Sequence, residues 1–352
     1  MDIREAIPND NNALQELQAK CPQGTDLIAS VVNTPDFFAR AKAYESYKVY
    51  IAYEGDKILG STACGFRNAI VNGEIRRIGY LFQAFVNHEY RRKGIASALH
   101  RHIEDYVAKE EGAVLFYTLI LENNTPAMRS IEHFGFKLHR TFVMPGLAIY
   151  KKMVTTSAEN VRPARPGDLA ALAMLLNETW HNFELHEPAS EEGLFQFISR
   201  TPGYSFDNLL ILEERGKILA FLGYLDWGQV MRITVEATSL KMRMMGLMLK
   251  IAGIFRPMPQ FVKPGDTLKQ IMITLIGFKD PTHLSVLLKH LNNQTLQRGI
   301  EQIFCICEKN HVMMKSLKGF IRINTAINLY VKNLQQETLD SDKPVFINGV
   351  DM

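Results

Sequence analysis

A basic, glycine-containing turn in the first half of the chain is the segment best suited to chemistry. Residues 81–99 read LFQAFVNHEYRRKGIASAL, a strand pattern followed by a helix pattern, and the turn between them contains Arg91, Arg92, Lys93 and Gly94. Glycine lets the backbone approach a ligand closely, and the first amide groups of a helix have no partners within the helix. Such a turn can bind a pyrophosphate, and the helix dipole adds to the attraction.

The residues after the glycine favour this interpretation. Ala96 and Ser97 are small and leave the start of the helix open to an anion. The alternative is a solvated basic turn, which is what most short charge runs are.

The elements around the turn follow from hydrophobic periodicity. Strands are predicted at 48–54, 57–68 and 76–86, with a hairpin turn at Asn72-Gly73. Apolar residues at helical spacing follow the turn, and Gly112 ends that helix. A continuous apolar run at 113–120 then predicts a buried strand.

A second helix follows this buried strand. Thr125 is predicted to cap it, Pro126 to open it and Gly135 to close it. The order of elements is that of a mixed α/β fold with a mostly antiparallel sheet.

This part of the chain resembles the GNAT acetyltransferase superfamily. Arg91-x-x-Gly94-x-Ala96 matches the Q/R-x-x-G-x-G/A motif of that family. An Ile3-Arg4 opening and an Asn124-x-x-Ala127 segment that ends in Gly135-Phe136 lie where the family has them. The resemblance is clear over residues 2–152 and weaker over 159–332.

The resemblance implies a direct attack of an amine on the thioester of acetyl-CoA within a ternary complex, without a metal. Amide groups of residues 92–97 would bind the pyrophosphate. The edge of residues 84–86 would pair with the pantetheine arm, and an N–H near Phe85 or Val86 would polarise the thioester carbonyl. The residues expected at the coenzyme are Ala84, Phe85, Val86, Arg91, Arg92, Lys93, Gly94, Ile95, Ala96, Ser97, Asn124 and Ala127.

Two features depart from the family pattern. The tyrosine that often protonates the thiolate is replaced by Ile131, and the central strand offers only Tyr80 as a weak candidate for the catalytic base. Three further residues could act as the base through a water: Glu74, His88 and Glu89.

Asn124 has two possible roles. It either reaches the pantetheine arm or only satisfies the backbone of a turn.

The second half of the chain repeats the first. Ile3-Arg4-x-Ala6-x-Pro8-x-Asp10 recurs as Val161-Arg162-x-Ala164-x-Pro166-x-Asp168, and Lys57-Ile58-Leu59 recurs as Lys217-Ile218-Leu219. We therefore expect two tandem GNAT-like domains, at 1–154 and 159–335, joined by a polar linker at Thr155–Asn160 and followed by a C-terminal tail at 336–352.

The second unit differs from the first at two places. A Met-rich stretch between Trp227 and Lys269 has no counterpart in the first unit and indicates an insertion. The equivalent of the basic turn, at 278–283, contains Asp280 and Pro281 and lacks the glycine. An acid repels phosphate and proline removes an amide, so this unit is expected to have lost coenzyme binding.

Composition limits the remaining possibilities. The 352 residues carry a net charge of only +3, too little for a dedicated nucleic-acid binder. Four cysteines lack the density of a disulfide scaffold and the spacing of a zinc site. We expect a cytoplasmic protein without a leader, a membrane span or a metal, and either a monomer or a homodimer.

The sequence thus predicts an N-acetyltransferase that uses acetyl-CoA and an amine acceptor, with a small molecule favoured over a protein amine. The alternative is an acyl-CoA sensor without turnover, which the Ile131 substitution favours.

Overall fold

A computed structural model describes residues 1–155, 160–336 and 338–352. Residues 156–159 of the predicted linker lie outside the described residues. Within the described ranges no helix is long and apolar enough to cross a membrane.

The described chain contains fourteen strands and seven α-helices. The strands are β1 (Asp2–Glu5), β2 (Leu27–Asn33), β3 (Ser46–Glu54), β4 (Lys57–Val71), β5 (Glu74–Val86), β6 (Leu115–Leu121), β7 (Lys137–Ala148), β8 (Val161–Pro163), β9 (Leu209–Glu214), β10 (Lys217–Asp226), β11 (Met231–Thr238), β12 (Gln270–Phe278), β13 (Gln302–Phe304) and β14 (Arg322–Asn333). The helices are α1 (Asn11–Ala19), α2 (Ile95–Lys109), α3 (Thr125–His133), α4 (Leu169–Trp180), α5 (Glu191–Arg200), α6 (Leu240–Ala252) and α7 (Pro281–Leu296).

The main sheet has twelve strands in the order β1-β3-β4-β5-β6-β14-β7-β13-β12-β10-β9-β8. Its pairs are antiparallel except for β5 with β6 and β12 with β13. The predicted hairpin is present, with Asn72 and Gly73 at φ values of 52° and 85°. The expected mixed α/β fold with a mostly antiparallel sheet is confirmed.

The repeat is visible in the order of elements. Each unit has a parallel strand pair with a crossover helix, formed by β5, α2 and β6 in the first and by β12, α7 and β13 in the second. The predicted insertion consists of β11, α6 and the loop after them, and it stands where the first unit has the Asn72-Gly73 turn. Strand β11 pairs with β2 of the first unit.

The two units exchange their last strands. Strand β14 of the second unit lies between β6 and β7 and pairs with both, while β7 pairs on its other edge with β13. The sheet is therefore continuous across the units, and the division into two domains remains a proposal based on the repeat.

The end of the chain belongs to the core. Within the segment predicted as a tail, residues 345–351 are buried, and Asp351 has no exposed surface. Val345 and Ile347 pack in the same apolar cluster as Tyr80 and Tyr117 of the first unit. This segment therefore contributes directly to the first unit.

Candidate active site

The two parallel strands of the first unit part at the middle of the sheet. Strand β5 pairs with β6 only from Ile78 to Tyr80, opposite Leu115 to Tyr117. Beyond Tyr117, β6 continues to pair with β14 on its other edge, and Thr118 Oγ1 donates a hydrogen bond of 2.9 Å to the carbonyl of Leu81. Residues 82–86 of β5 thus border a gap between the two strands, and the pairing of a pantetheine arm with this edge stays a prediction.

A β-bulge lies on β5 beside this gap. The register with β4 shifts between Ser61, opposite Phe85, and Ala63, opposite Phe82. Gln83 has a positive φ of 50°, which is uncommon for a residue with a side chain. Bulges bend a strand and redirect the residues that follow them. Ala84 is accordingly exposed between two buried neighbours.

The turn after β5 leads directly into α2. Asn87 Oδ1 accepts a hydrogen bond of 3.1 Å from the amide of Glu89 and shapes the start of the turn. Arg92 and Gly94 both have positive φ, at 63° and 77°. Gly94 is the N-cap of α2 and has no side chain that could bond to the first amides of the helix. Those amide groups remain available to an anion.

The side chains of the turn are exposed and basic. Arg91 Nε donates to the carbonyl of Val86 at 3.3 Å, and Lys93 Nζ lies 4.7 Å from the ring centre of Tyr90. Among the described residues, Arg91, Arg92 and Lys93 have no carboxylate partner. We name residues Arg91–Ser97 the phosphate loop, because their basic side chains have no carboxylate partner among the described residues and the amides at the start of α2 suit an anion.

The helix after β6 is capped differently from the prediction. Asn124, not Thr125, is its N-cap, and its Oδ1 accepts a bond of 3.4 Å from the amide of Ala127. The prediction for Thr125 was wrong because Asn124, one residue earlier, already supplies the side-chain oxygen that accepts from this amide. Asn124 thus satisfies a backbone amide at the start of α3. Ile131 is buried in the core below α3.

A buried charged cluster lies on the other face of the sheet near Tyr80. Asp351 accepts hydrogen bonds from Tyr117 Oη at 2.8 Å and Tyr44 Oη at 2.9 Å, and Arg67 Nη2 lies 3.0 Å from its Oδ2. Its backbone carbonyl accepts from Arg40 at 2.8 Å and from the Tyr80 hydroxyl. We name these six residues the Asp351 cluster.

Burial and charge set the protonation states in this cluster. Burial would lower the pKa of Arg67, but Asp351 and the tyrosines raise it overall, so the ion pair is maintained. Burial raises the pKa of Tyr80 to about 12, although Arg40 opposes the shift. A phenol of this kind is neutral near pH 7 and already donates its proton.

The sequence did not indicate the Asp351 cluster. Its members come from five separate segments, and the aspartate lies in the segment predicted as a C-terminal tail. The other residues considered as a base lie elsewhere: Glu74 pairs with Arg76, Glu89 Oε2 lies 3.6 Å from Lys57 Nζ, and His88 is exposed beside the phosphate loop.

Another carboxylate, that of Glu187, interacts electrostatically with Arg67 and Asp351 of the cluster. Burial raises the pKa of Glu187, while Arg67 and Arg200 oppose the shift. Glu187 belongs to a segment of the second unit that packs on β4, where the amide of Ile70 donates to the carbonyl of His186 at 2.8 Å. A raised pKa makes a carboxylate a better proton acceptor than an ordinary glutamate.

The second unit has an acid at the position equivalent to the phosphate loop. Asp280 Oδ1 accepts bonds of 2.7 Å from both the amide and the hydroxyl of Thr282, at the start of α7. The amide lowers the pKa of Asp280, which keeps it charged. The start of α7 is therefore capped by a carboxylate, whereas the start of α2 has no side-chain cap.

Comparisons with known proteins agree with these observations. Residues 11–136 match the acetyltransferase (GNAT) family. No curated protein sequence matches the chain.

Solved structures resemble the chain over most of its length. Two structures of Saccharomyces cerevisiae N-myristoyltransferase with bound myristoyl-CoA match with TM-scores of 0.66 and 0.68 at 12% and 13% identity, covering 98% and 99% of this chain and 89% and 85% of theirs. A GCN5-related N-acetyltransferase from Anabaena variabilis matches with a TM-score of 0.54 at 10% identity, covering 95% of this chain and 73% of that one. At these identities the likeness establishes the fold.

The buried ion pair between Arg67 and Asp351 predicts that Asp351→Asn strongly lowers the free energy of unfolding. The substitution leaves the Arg67 guanidinium buried without its counter-charge, and such a loss costs about 3–5 kcal/mol. Urea denaturation should show a decrease of this size in the free energy of unfolding. Asp342→Asn, an exposed position in the same segment, should change it by less than about 0.5 kcal/mol.

The double variant Arg67→Met/Asp351→Leu separates charge from packing. It removes both charges, so we expect a smaller loss than for Asp351→Asn alone. A double variant that is less stable than the single one would contradict the account of the pair.

Proposed function

We propose that the first half of the chain, in which residues 11–136 match the acetyltransferase (GNAT) family, binds acetyl-CoA and transfers the acetyl group to a primary amine. The observation that carries this proposal is the phosphate loop at the start of α2, beside the gap between β5 and β6. The loop supplies free amides and unpaired positive charge, and the gap supplies a strand edge. Both lie within one short stretch of chain.

In this proposal the pyrophosphate lies at the start of α2. Amides of residues 92–97 donate to its oxygens, and the exposed side chains of Arg91, Arg92 and Lys93 add attraction. Gly94 permits the backbone turn, since its φ of 77° is strained for a residue with a side chain.

The pantetheine arm then follows β5. The arm carries amide groups that can pair with residues 84–86 as an added strand would. The bulge at Gln83 aims an N–H of Phe85 or Val86 at the thioester carbonyl, where negative charge develops as the amine attacks. In this proposal Asn124 and Ala127, at the start of α3 after β6 ends, contact the arm from the other side.

Packing near the expected acyl end favours a short acyl group. The rings of Tyr44 and Tyr80 each lie within 5.5 Å of Phe82, and all three side chains are buried. These packed rings leave little room for an extended acyl chain beside β5. Acetyl is therefore the acyl group that we propose.

The chemistry requires one proton to leave the amine and one to reach the sulfur. The amine nitrogen forms the new C–N bond, the C–S bond breaks, and the coenzyme departs as a thiolate. Ile131 cannot donate a proton, so water protonates the thiolate in this proposal. Glu187 accepts the proton of the amine, while Tyr80 holds the backbone of Asp351 in place.

The second unit supports the first. Asp280 neutralises the start of α7, so this unit does not bind the coenzyme in our proposal. It contributes β14, Glu187 and the Asp351 segment to the first unit and walls off the acceptor side. This arrangement favours a small-molecule amine as acceptor. A sensor without turnover is the second candidate, and the buried Ile131 at the position of the family's acid favours it.

Coenzyme binding is tested by thermal stabilisation. At a concentration about 100 times Kd, acetyl-CoA should raise the melting temperature by about 5 °C, and a screen of amines should release free thiol. Gly94→Ala should abolish the shift, because the strained loop no longer presents its amides. Gly216→Ala is the matched control, since Gly216 has a similar φ of 74° and open space around it.

Both glycine variants should lose similar stability, about 1 kcal/mol, but only the first should lose binding. Stabilisation without thiol release from any amine would establish the sensor. No stabilisation of the folded wild-type protein would refute both candidates.

The proton acceptor is tested with Glu187→Gln and Tyr80→Phe. Loss of the base should lower kcat/KM of Glu187→Gln about 100-fold or more and remove the acid limb of the pH–rate profile. Tyr80→Phe should retain that limb and lose less than about tenfold. The opposite pattern would assign the base to Tyr80.

A further inference from the structure

Helix α6 exposes an unusual apolar surface. Leu240, Met244, Leu247, Met248 and Ile251 recur at three- and four-residue spacing on one side of the helix, and each is more than half exposed. Beyond the helix, Ile254 and Phe255 are 77% and 85% exposed. We name these seven residues the α6 patch.

The opposite side of α6 packs on its own loop. Gly246 is buried, and a Cβ at this position would lie 2.5 Å from the ring of Phe261. The helix is therefore held in place by the insertion, and the exposed side is not the result of an unpacked helix. Helix α2 differs from α6 in this respect, because its exposed positions include the polar residues Arg101, His102, Asp105 and Lys109.

Basic residues flank the patch on both sides. At 100° per residue, Lys241 lies on one side of the apolar stripe, and Arg243 and Lys250 lie on the other. Arg256 and Lys263 follow in the loop, and no acidic residue occurs between 237 and 265. All five basic residues are exposed. The surface is thus apolar at its centre and positive at its rim.

From this arrangement we propose that the α6 patch binds the surface of an anionic lipid bilayer. Apolar side chains enter the boundary between head groups and acyl chains, and lysine and arginine pair with anionic head groups. Phe255, an aromatic residue at the end of the helix, suits the interfacial depth. The charge argues against a second copy of this chain as the partner, because two like-charged rims would repel.

The proposal is independent of the transferase function. It assigns a role to the β11–α6 insertion, which has no counterpart in the first unit. It also locates the contact on an element that does not include the phosphate loop or the Asp351 cluster, so binding to lipid can be lost while the transferase site is retained.

Vesicle sedimentation tests the proposal with the full chain. Vesicles of phosphatidylcholine mixed with phosphatidylserine should sediment the protein, whereas phosphatidylcholine alone should not, and added salt should weaken binding. Lys241→Glu and Lys250→Glu should each weaken binding about fivefold or more. Leu247→Asp should abolish it. Met174→Asp, at an equally exposed apolar position on α4, should leave it unchanged.

The substituted positions are on the surface, so the melting temperatures of these variants should stay near that of the wild type. Three results would each overturn the proposal. The folded protein would not sediment with anionic vesicles, or the α6 variants would bind vesicles as well as the wild type does. The third result is a concentration-dependent dimer that Leu247→Asp dissociates.

Discussion

The candidate site depends on the parting of β5 and β6 beyond Tyr80 and Tyr117. Neighbouring strands normally satisfy each other's amide and carbonyl groups, so an open strand edge inside a sheet is costly unless something else pairs with it. Strand β14 satisfies the backbone groups of β6, because it pairs with β6 from Leu115 to Leu121. The edge of β5 is left for a ligand with amide groups of its own. The last strand of the second unit is thus a structural requirement of the site in the first.

Charge distinguishes the two units more clearly than fold does. Both have a helix that starts just after a strand of a parallel pair, and both helix starts attract anions. In the first unit the helix start contains Gly94 and three exposed basic side chains, so its amide groups and positive charge can bind a ligand. In the second unit the Asp280 carboxylate accepts from an amide at the helix start. The carboxylate of Asp280, the loss of an amide at Pro281 and the absence of a glycine therefore together distinguish the helix start of the second unit from the candidate binding site of the first.

Local patterns in the sequence predicted most of the fold. Periodicity located the strands around Asn72-Gly73 and helix α2, and the repeat located the insertion. The exchange of β14 was not predictable, because both possible partners of an apolar strand satisfy the same pattern. The Asp351 cluster was missed for a related reason: Arg67, Tyr117 and Asp351 meet only because distant segments pack together, and no local pattern marks them. The cap at Asn124 shows the limit of rules that treat neighbouring polar residues as equivalent.

The central claim is that one coenzyme site exists in the chain and lies in the first unit. Isothermal titration of the full chain with acetyl-CoA measures this directly. The account predicts one molecule bound per chain, with the same stoichiometry and affinity in Asp280→Asn. Two molecules per chain, no binding, or a loss of binding in Asp280→Asn would contradict it.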